Sequence, residues 1–88
     1  MRLKPNFRLE RVAGEYMLLD TAAGLTGQSR VLGLNEPAAW LWRRIGSMDF
    51  DEHMLVGWIL DEYDVSAEVA ESDVHSMVSL WGSLGLLQ

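Results

Sequence analysis

The chain has 88 residues, with seven Lys and Arg against 13 Asp and Glu, and a net charge of −6. That length admits one small domain, expected to span residues 1–88. It holds no cysteine, which excludes a disulfide framework and a zinc–thiolate centre and leaves stability to the burial of tryptophan, methionine and leucine.

In chain order, Phe7–Val12 reads as a first strand and Glu15–Asp20 as a second, joined by Ala13-Gly14, where the glycine supplies a positive φ for a tight hairpin. The second strand is apolar on both sides, which makes it the expected centre of the sheet. Thr21–Gln28, with Gly24 and Gly27, reads as a loop. Ser29–Leu34 is the third strand, and Gly33 inside it allows close approach of another backbone. A helix follows at once. Asn35 is a favoured N-cap, Glu36 complements the helix dipole, and Pro37 is tolerated in the first turn. The helix is expected over Glu36–Ile45, with Trp40, Leu41 and Ile45 at helical spacing, Arg43 and Arg44 in its last turn and Gly46 near its C-cap. Asp51 caps a second helix over Glu52–Tyr63, whose stripe holds Leu55, Ile59 and either Trp58 or Leu60. Ser66 caps a third, over Ala67–Leu84, ending at Gly85.

The third helix is apolar over an unusually wide arc. At about 100° per residue, Val69, Ala70, Val74, Met77, Val78, Leu80, Trp81 and Leu84 cover half its circumference, where one core needs a stripe somewhat over ~100°. One margin is therefore expected to face something besides the core. Asp73 falls inside that arc, and it either finds a partner or sits exposed at an edge.

Three strands followed by three helices make an α+β, winged helix-turn-helix-like layout with a three-stranded antiparallel sheet. Within it stand Gly14-Glu15-Tyr16, Leu34-Asn35-Glu36, Ala38-Ala39-Trp40-Leu41-Trp42, the run Leu60-Asp61-Glu62-Tyr63-Asp64-Val65-Ser66, Asp73-Val74, and Leu80 through Gly85-Leu86-Leu87. In this order and spacing they resemble the PqqD-like domains, also called RiPP recognition elements, which bind leader segments of ribosomally made peptide precursors. The resemblance covers nearly the whole chain. It implies a binding module with no catalytic group and no cofactor. The precursor leader peptide would be added as a strand beside the third strand, in the groove against the third helix. Carried onto this chain, the peptide-binding residues are Ser29, Arg30, Val31, Leu32, Gly33 and Leu34 on the strand and Val69, Asp73, Ser76, Met77 and Leu80 on the helix. Asp73 would receive a lysine or arginine, and Val69, Met77 and Leu80 an apolar anchor. The second partner implied is a RiPP-modifying enzyme: a radical SAM enzyme, a cyclase or a protease. If Leu87-Gln88 is the natural end, the module is freestanding and also docks that enzyme.

Other functions find little support. All seven cations lie within the first 44 residues, whereas Ile45–Gln88 holds nine acids and no lysine or arginine, so the halves carry +3 and −9. A duplex-binding helix offers cations to phosphate, which counts against nucleic acid and against the alternative of a winged-helix DNA-binding or regulatory module. An acidic surface suits a basic peptide or protein. His53 and His75 have no carboxylates at metal-ligand spacing, and Asp73, His75 and Ser76 are helix neighbours that point around the axis rather than into a relay. No phosphate-binding glycine loop occurs. The tryptophans are expected in the core except Trp42, which is placed on the opposite face, as an exposed interface residue. No apolar run reaches the ~20 residues of a bilayer span, and Arg8, Glu10 and Arg11 interrupt the place of a secretion signal's core. The expectation is a cytoplasmic protein without a membrane partner. A homodimer through the open strand edge is a further alternative.

Overall fold

The computed structural model describes residues 1–21 and 31–88. Three antiparallel strands precede three helices: β1 (Phe7–Val12), β2 (Glu15–Asp20), β3 (Val31–Leu34), α1 (Glu36–Ile45), α2 (Glu52–Glu62) and α3 (Ala67–Ser83). The chain divides into two compact units, Lys4–Ser47 and Met1–Leu3 with Met48–Gln88.

In the first unit the strand order is β1-β2-β3, with β2 central as expected. Val12 pairs with Glu15, so Ala13 and Gly14 form a two-residue turn with φ of 53° and 81°. Two positive φ values match the right-handed twist of the flanking strands. The glycine was foreseen; the alanine accepts the left-handed region at a cost of about 1–2 kcal/mol. Leu9, Leu18 and Leu32 stand in one row across the sheet, and Leu18 is fully buried. Met17 with Gly33, and Leu19 with Val31, occupy the opposite face. The far end of the hairpin is tied by Asn6, whose side chain donates to Asp20 Oδ1 at 2.9 Å and whose carbonyl accepts the Thr21 amide at 2.7 Å. The loop expected after Thr21, and Ser29 and Arg30 of the expected third strand, lie outside the described residues.

β3 passes into α1 through a single residue. Asn35 Oδ1 accepts the Ala38 amide at 2.9 Å, Pro37 lies in the first turn, and the helix stops at Gly46, whose amide reaches the Trp42 carbonyl at 3.2 Å. Ala38, Ala39, Leu41, Trp42 and Ile45 are buried. Trp42 thus corrects the expectation of an exposed tryptophan. It stands one turn beyond Ala38 on the inward face, 7 % exposed, with the edge of Phe7 at 6.5 Å and 87°. Trp40 is the half-buried one, beneath the Arg44 guanidinium at 5.4 Å.

In the second unit α2 packs against α3. Asp51 Oδ1 accepts the Met54 amide at 2.8 Å and Ser66 Oγ the Val69 amide at 3.2 Å, so both expected N-caps are in place. At the other ends, Tyr63 and Leu84 are cap residues just past the helices. Leu55 is fully buried and Trp58 and Ile59 half-buried, whereas Leu60 is exposed, which gives the open position on the α2 stripe to Trp58. Ala70, Val74, Val78 and Trp81 form the buried stripe of α3.

Residues 1–3 join this unit through long-range pairing. Met1 and Phe50 exchange two hydrogen bonds at 2.9 and 2.8 Å, Leu3 bridges Leu87, and the Gln88 amide and side chain reach the carbonyls of Arg2 and Leu3 at 2.8 and 3.0 Å. Arg2 donates twice to Asp49, at 2.9 and 3.1 Å. Chiefly through that hydrogen bonding, the Asp49 carboxyl is held below its ordinary value.

Two predictions follow from these contacts. Ala13→Asn relieves the turn and raises unfolding stability by about 0.5–1 kcal/mol in urea titration. A carboxylate with a depressed folded-state pKa contributes stability that is complete above its unfolded value and lost as pH falls through the folded one. In an NMR titration the Asp49 midpoint is therefore expected below the ordinary carboxylate range, and Arg2→Ala returns it upward.

Candidate functional site

β3 has one strand neighbour, β2, and its other edge carries no strand among the described residues. In an antiparallel ladder, alternate residues direct both main-chain groups away from the neighbour, so this edge turns main-chain donors and acceptors outward, where a further strand can pair with them. Its side chains are accessible too: Val31 is 56 % exposed, Gly33 is exposed, and Leu32 and Leu34 are half-buried. Four of the six expected strand residues therefore lie in one edge strand; Ser29 and Arg30 fall outside the described residues.

At the end of β3 an open depression is lined by Arg11, Tyr16, Gly33, Leu34, Asn35 and Glu36, together with the hairpin residues Gly14 and Glu15. The Tyr16 ring holds two guanidinium groups, Arg11 at 5.4 Å and Arg43 at 5.1 Å from its centroid, a stacking that keeps each cation oriented while leaving its charge at the surface. Sequence reading missed this cluster. Half of it was available, because a two-residue turn at Ala13-Gly14 places Arg11 opposite Tyr16; Arg43 arrives from α1, where no local pattern marks it.

On α3 the wide apolar arc resolves into two stripes. Ala70, Val74, Val78 and Trp81 are buried, while Val69 and Leu80 remain 47 % and 55 % exposed. Asp73 and Ser76 are exposed between them, and Met77 is half-buried at the boundary. Val69, Asp73, Ser76 and Leu80 recur at intervals of four, three and four, so they share one face. Asp73 takes the second of its two expected settings, an exposed edge, and makes no ion pair among the described residues. The strand residues and the helix residues belong to different compact units.

His75 Nδ1 lies 3.0 Å from Glu52 Oε1, both groups partly exposed, and His53 is exposed. Among the described residues no three His, Cys, Asp or Glu side chains cluster as a metal site, and no helix is long and apolar enough to cross a membrane.

Residues 12–87 match the family described as Coenzyme PQQ synthesis protein D, PqqD. The chain belongs to the PqqD family. Comparison with curated proteins gives no match. Among solved structures, TbiB1 in complex with the TbiA(beta) leader peptide superposes with a TM-score of 0.75 at 20 % identity, over 100 % of this chain and 95 % of that one. Lasso peptide synthetase B1 complexed with the leader peptide gives 0.72 at 24 % identity, over 99 % and 95 %. At these identities the likeness is one of fold.

Because Val69 and Leu80 are surface residues, Val69→Lys and Leu80→Lys are expected to leave unfolding stability within about 0.5 kcal/mol of the parent in urea titration.

Proposed function

We propose that this PqqD-family chain is a RiPP recognition element: it binds the leader segment of a ribosomally made precursor peptide as an added strand and presents it to a modifying enzyme. The observation that carries the reading is that both solved structures named above, which share the fold over essentially the full chain, hold leader peptides. The physical features of this chain support it. The free edge of β3 offers main-chain pairing to any extended segment, and Val31, Leu32, Gly33 and Leu34 are accessible there. Ser29 and Arg30, outside the described residues, are proposed as further peptide-binding residues. The exposed face of α3 is proposed as the second contact surface: Val69, Met77 and Leu80 for apolar side chains, Asp73 for a lysine or arginine, and Ser76 as a hydrogen-bonding neighbour.

Binding of this kind needs no catalytic group, and the reading assigns the chemistry to a radical SAM enzyme, cyclase or protease acting in the cytoplasm. Holding the leader raises the effective concentration of the attached core peptide at that enzyme. The charge distribution also favours peptide over duplex DNA. From position 45 onward the chain has nine acids and no lysine or arginine, so α2 and α3 offer phosphates no cation.

The test is an amide NMR titration of the intact chain with the leader half of a short precursor encoded beside it. Shifts concentrated in Val31–Leu34 and along Val69–Leu80 are expected, with Asp73→Lys or Leu80→Lys weakening the affinity about tenfold or more. No shift at millimolar peptide, or shifts confined to other elements, would overturn the reading.

A further inference from the structure

We infer that the peptide residue paired opposite Gly33 is aromatic, its ring lying across the glycine and against Met17; the inference rests on strand addition at β3. A glycine inside a strand costs roughly 0.5–1 kcal/mol relative to alanine, and nothing among the described residues requires one at position 33. Its φ is not among the positive values, which belong to Ala13, Gly14, Gly46 and Gly85. A Cβ built there would meet no atom within 4 Å. The fold would accept a side chain, yet the position is bare.

What surrounds it is apolar. Gly33 pairs with Met17, which is half-buried, and the next pair on the same face is Leu19 with Val31. Val31 is 56 % exposed. The face thus has a floor of Met17, Leu19 and Val31 with a gap at the glycine. In an antiparallel ladder directly opposed residues project from the same face, their Cβ atoms ~4.5–5.5 Å apart. An added strand therefore aims one side chain over Gly33. A short or β-branched side chain stops over its own backbone and leaves the gap open. A charged one brings its hydration onto Met17 and Val31. An aromatic ring is long and flat enough to lean across the glycine, cover its bare backbone and reach the Met17 thioether, a contact that sulfur and aromatic rings favour. Gly33 is then a specificity-determining residue. The main chain of β3 accepts any extended peptide, and the missing side chain selects the one with a ring in register.

The probe is a displayed library of random dodecapeptides selected on the intact chain, with NOEs between bound peptide and β3 identifying the residue opposite Gly33. An aromatic residue is expected there. Its replacement by alanine, or Gly33→Val in the protein, should each weaken binding about tenfold, and the double change should cost no more than either alone. Gly33→Val should melt no lower than the parent; Gly33→Ala, which asks less of the strand, provides a second partial block. Peptides that shift Val31–Leu34 but bind Gly33→Val and Gly33→Ala unchanged, or that carry no ring at this position, would overturn the inference and leave strand addition standing. Should no dodecapeptide bind the intact chain, strand addition itself is overturned and the inference with it.

Discussion

The hydrogen bond from the Ala38 amide to Asn35 Oδ1 sets the terms for the rest of the first unit. Leu34 is the last residue of β3 and Glu36 the first of α1, so a single residue converts a repeat of two into a repeat of 3.6. No slack remains to absorb an error. If β3 slipped by one position, Leu32 would leave the row it shares with Leu9 and Leu18, and Gly33 would replace it. The same slip would turn Leu41, Trp42 and Ile45 away from the buried side of α1. One polar side chain thus keeps the edge of the sheet and the buried face of the helix in a common register.

Much of this was legible before any coordinates, because the signals are local. The three N-caps, the two-residue turn and the strand alternation are each written in four or five consecutive residues, and the structure places Asn35, Asp51 and Ser66 as caps where they were expected. The width of the α3 arc also carried real information. A helix that is apolar over half its surface has more than one neighbour to satisfy, and the structure divides the arc into a buried stripe and the exposed pair Val69 and Leu80. Trp42 failed for a complementary reason. Ten residues make fewer than three turns, and in so short a helix two tryptophans two positions apart can exchange roles with little change of pattern; the Phe7 ring, 35 residues before Trp42, decides the matter. The pairing of Met1–Leu3 with Phe50 and Leu87 and the arrival of Arg43 on Tyr16 are equally non-local, and no window of sequence contains them.

For the candidate surface, the legible part was the type of element and the illegible part its finish. Alternation marks β3 as a strand, and its place in the order makes it an edge. Whether a glycine within it is a structural necessity is a question of φ and of neighbouring atoms, which only coordinates answer. In the proposed mode, affinity comes from main-chain groups that every peptide possesses, so discrimination has to come from side chains and from their absence. A bare position on one face of a strand and an acid between two exposed apolar residues on a helix are different devices. The first selects by shape and the second by charge, and salt screens only the second.

The pairing of the first three residues has a consequence for the order in which the chain is able to fold. Lys4–Ser47 is continuous, and its contacts can form as soon as that stretch has left the ribosome. The other unit is discontinuous, closed by a hydrogen bond between residues 85 positions apart. The pairing of Met1 with Phe50 waits until Phe50 is made, and that of Arg2 and Leu3 until Leu87 and Gln88 follow. At ~5–20 residues per second, they wait several seconds with Leu3 uncovered, a side chain that ends only 5 % exposed. Synthesis therefore holds this unit open until Leu87 and Gln88 have emerged, so the hydrogen bonds that close it are the last to form.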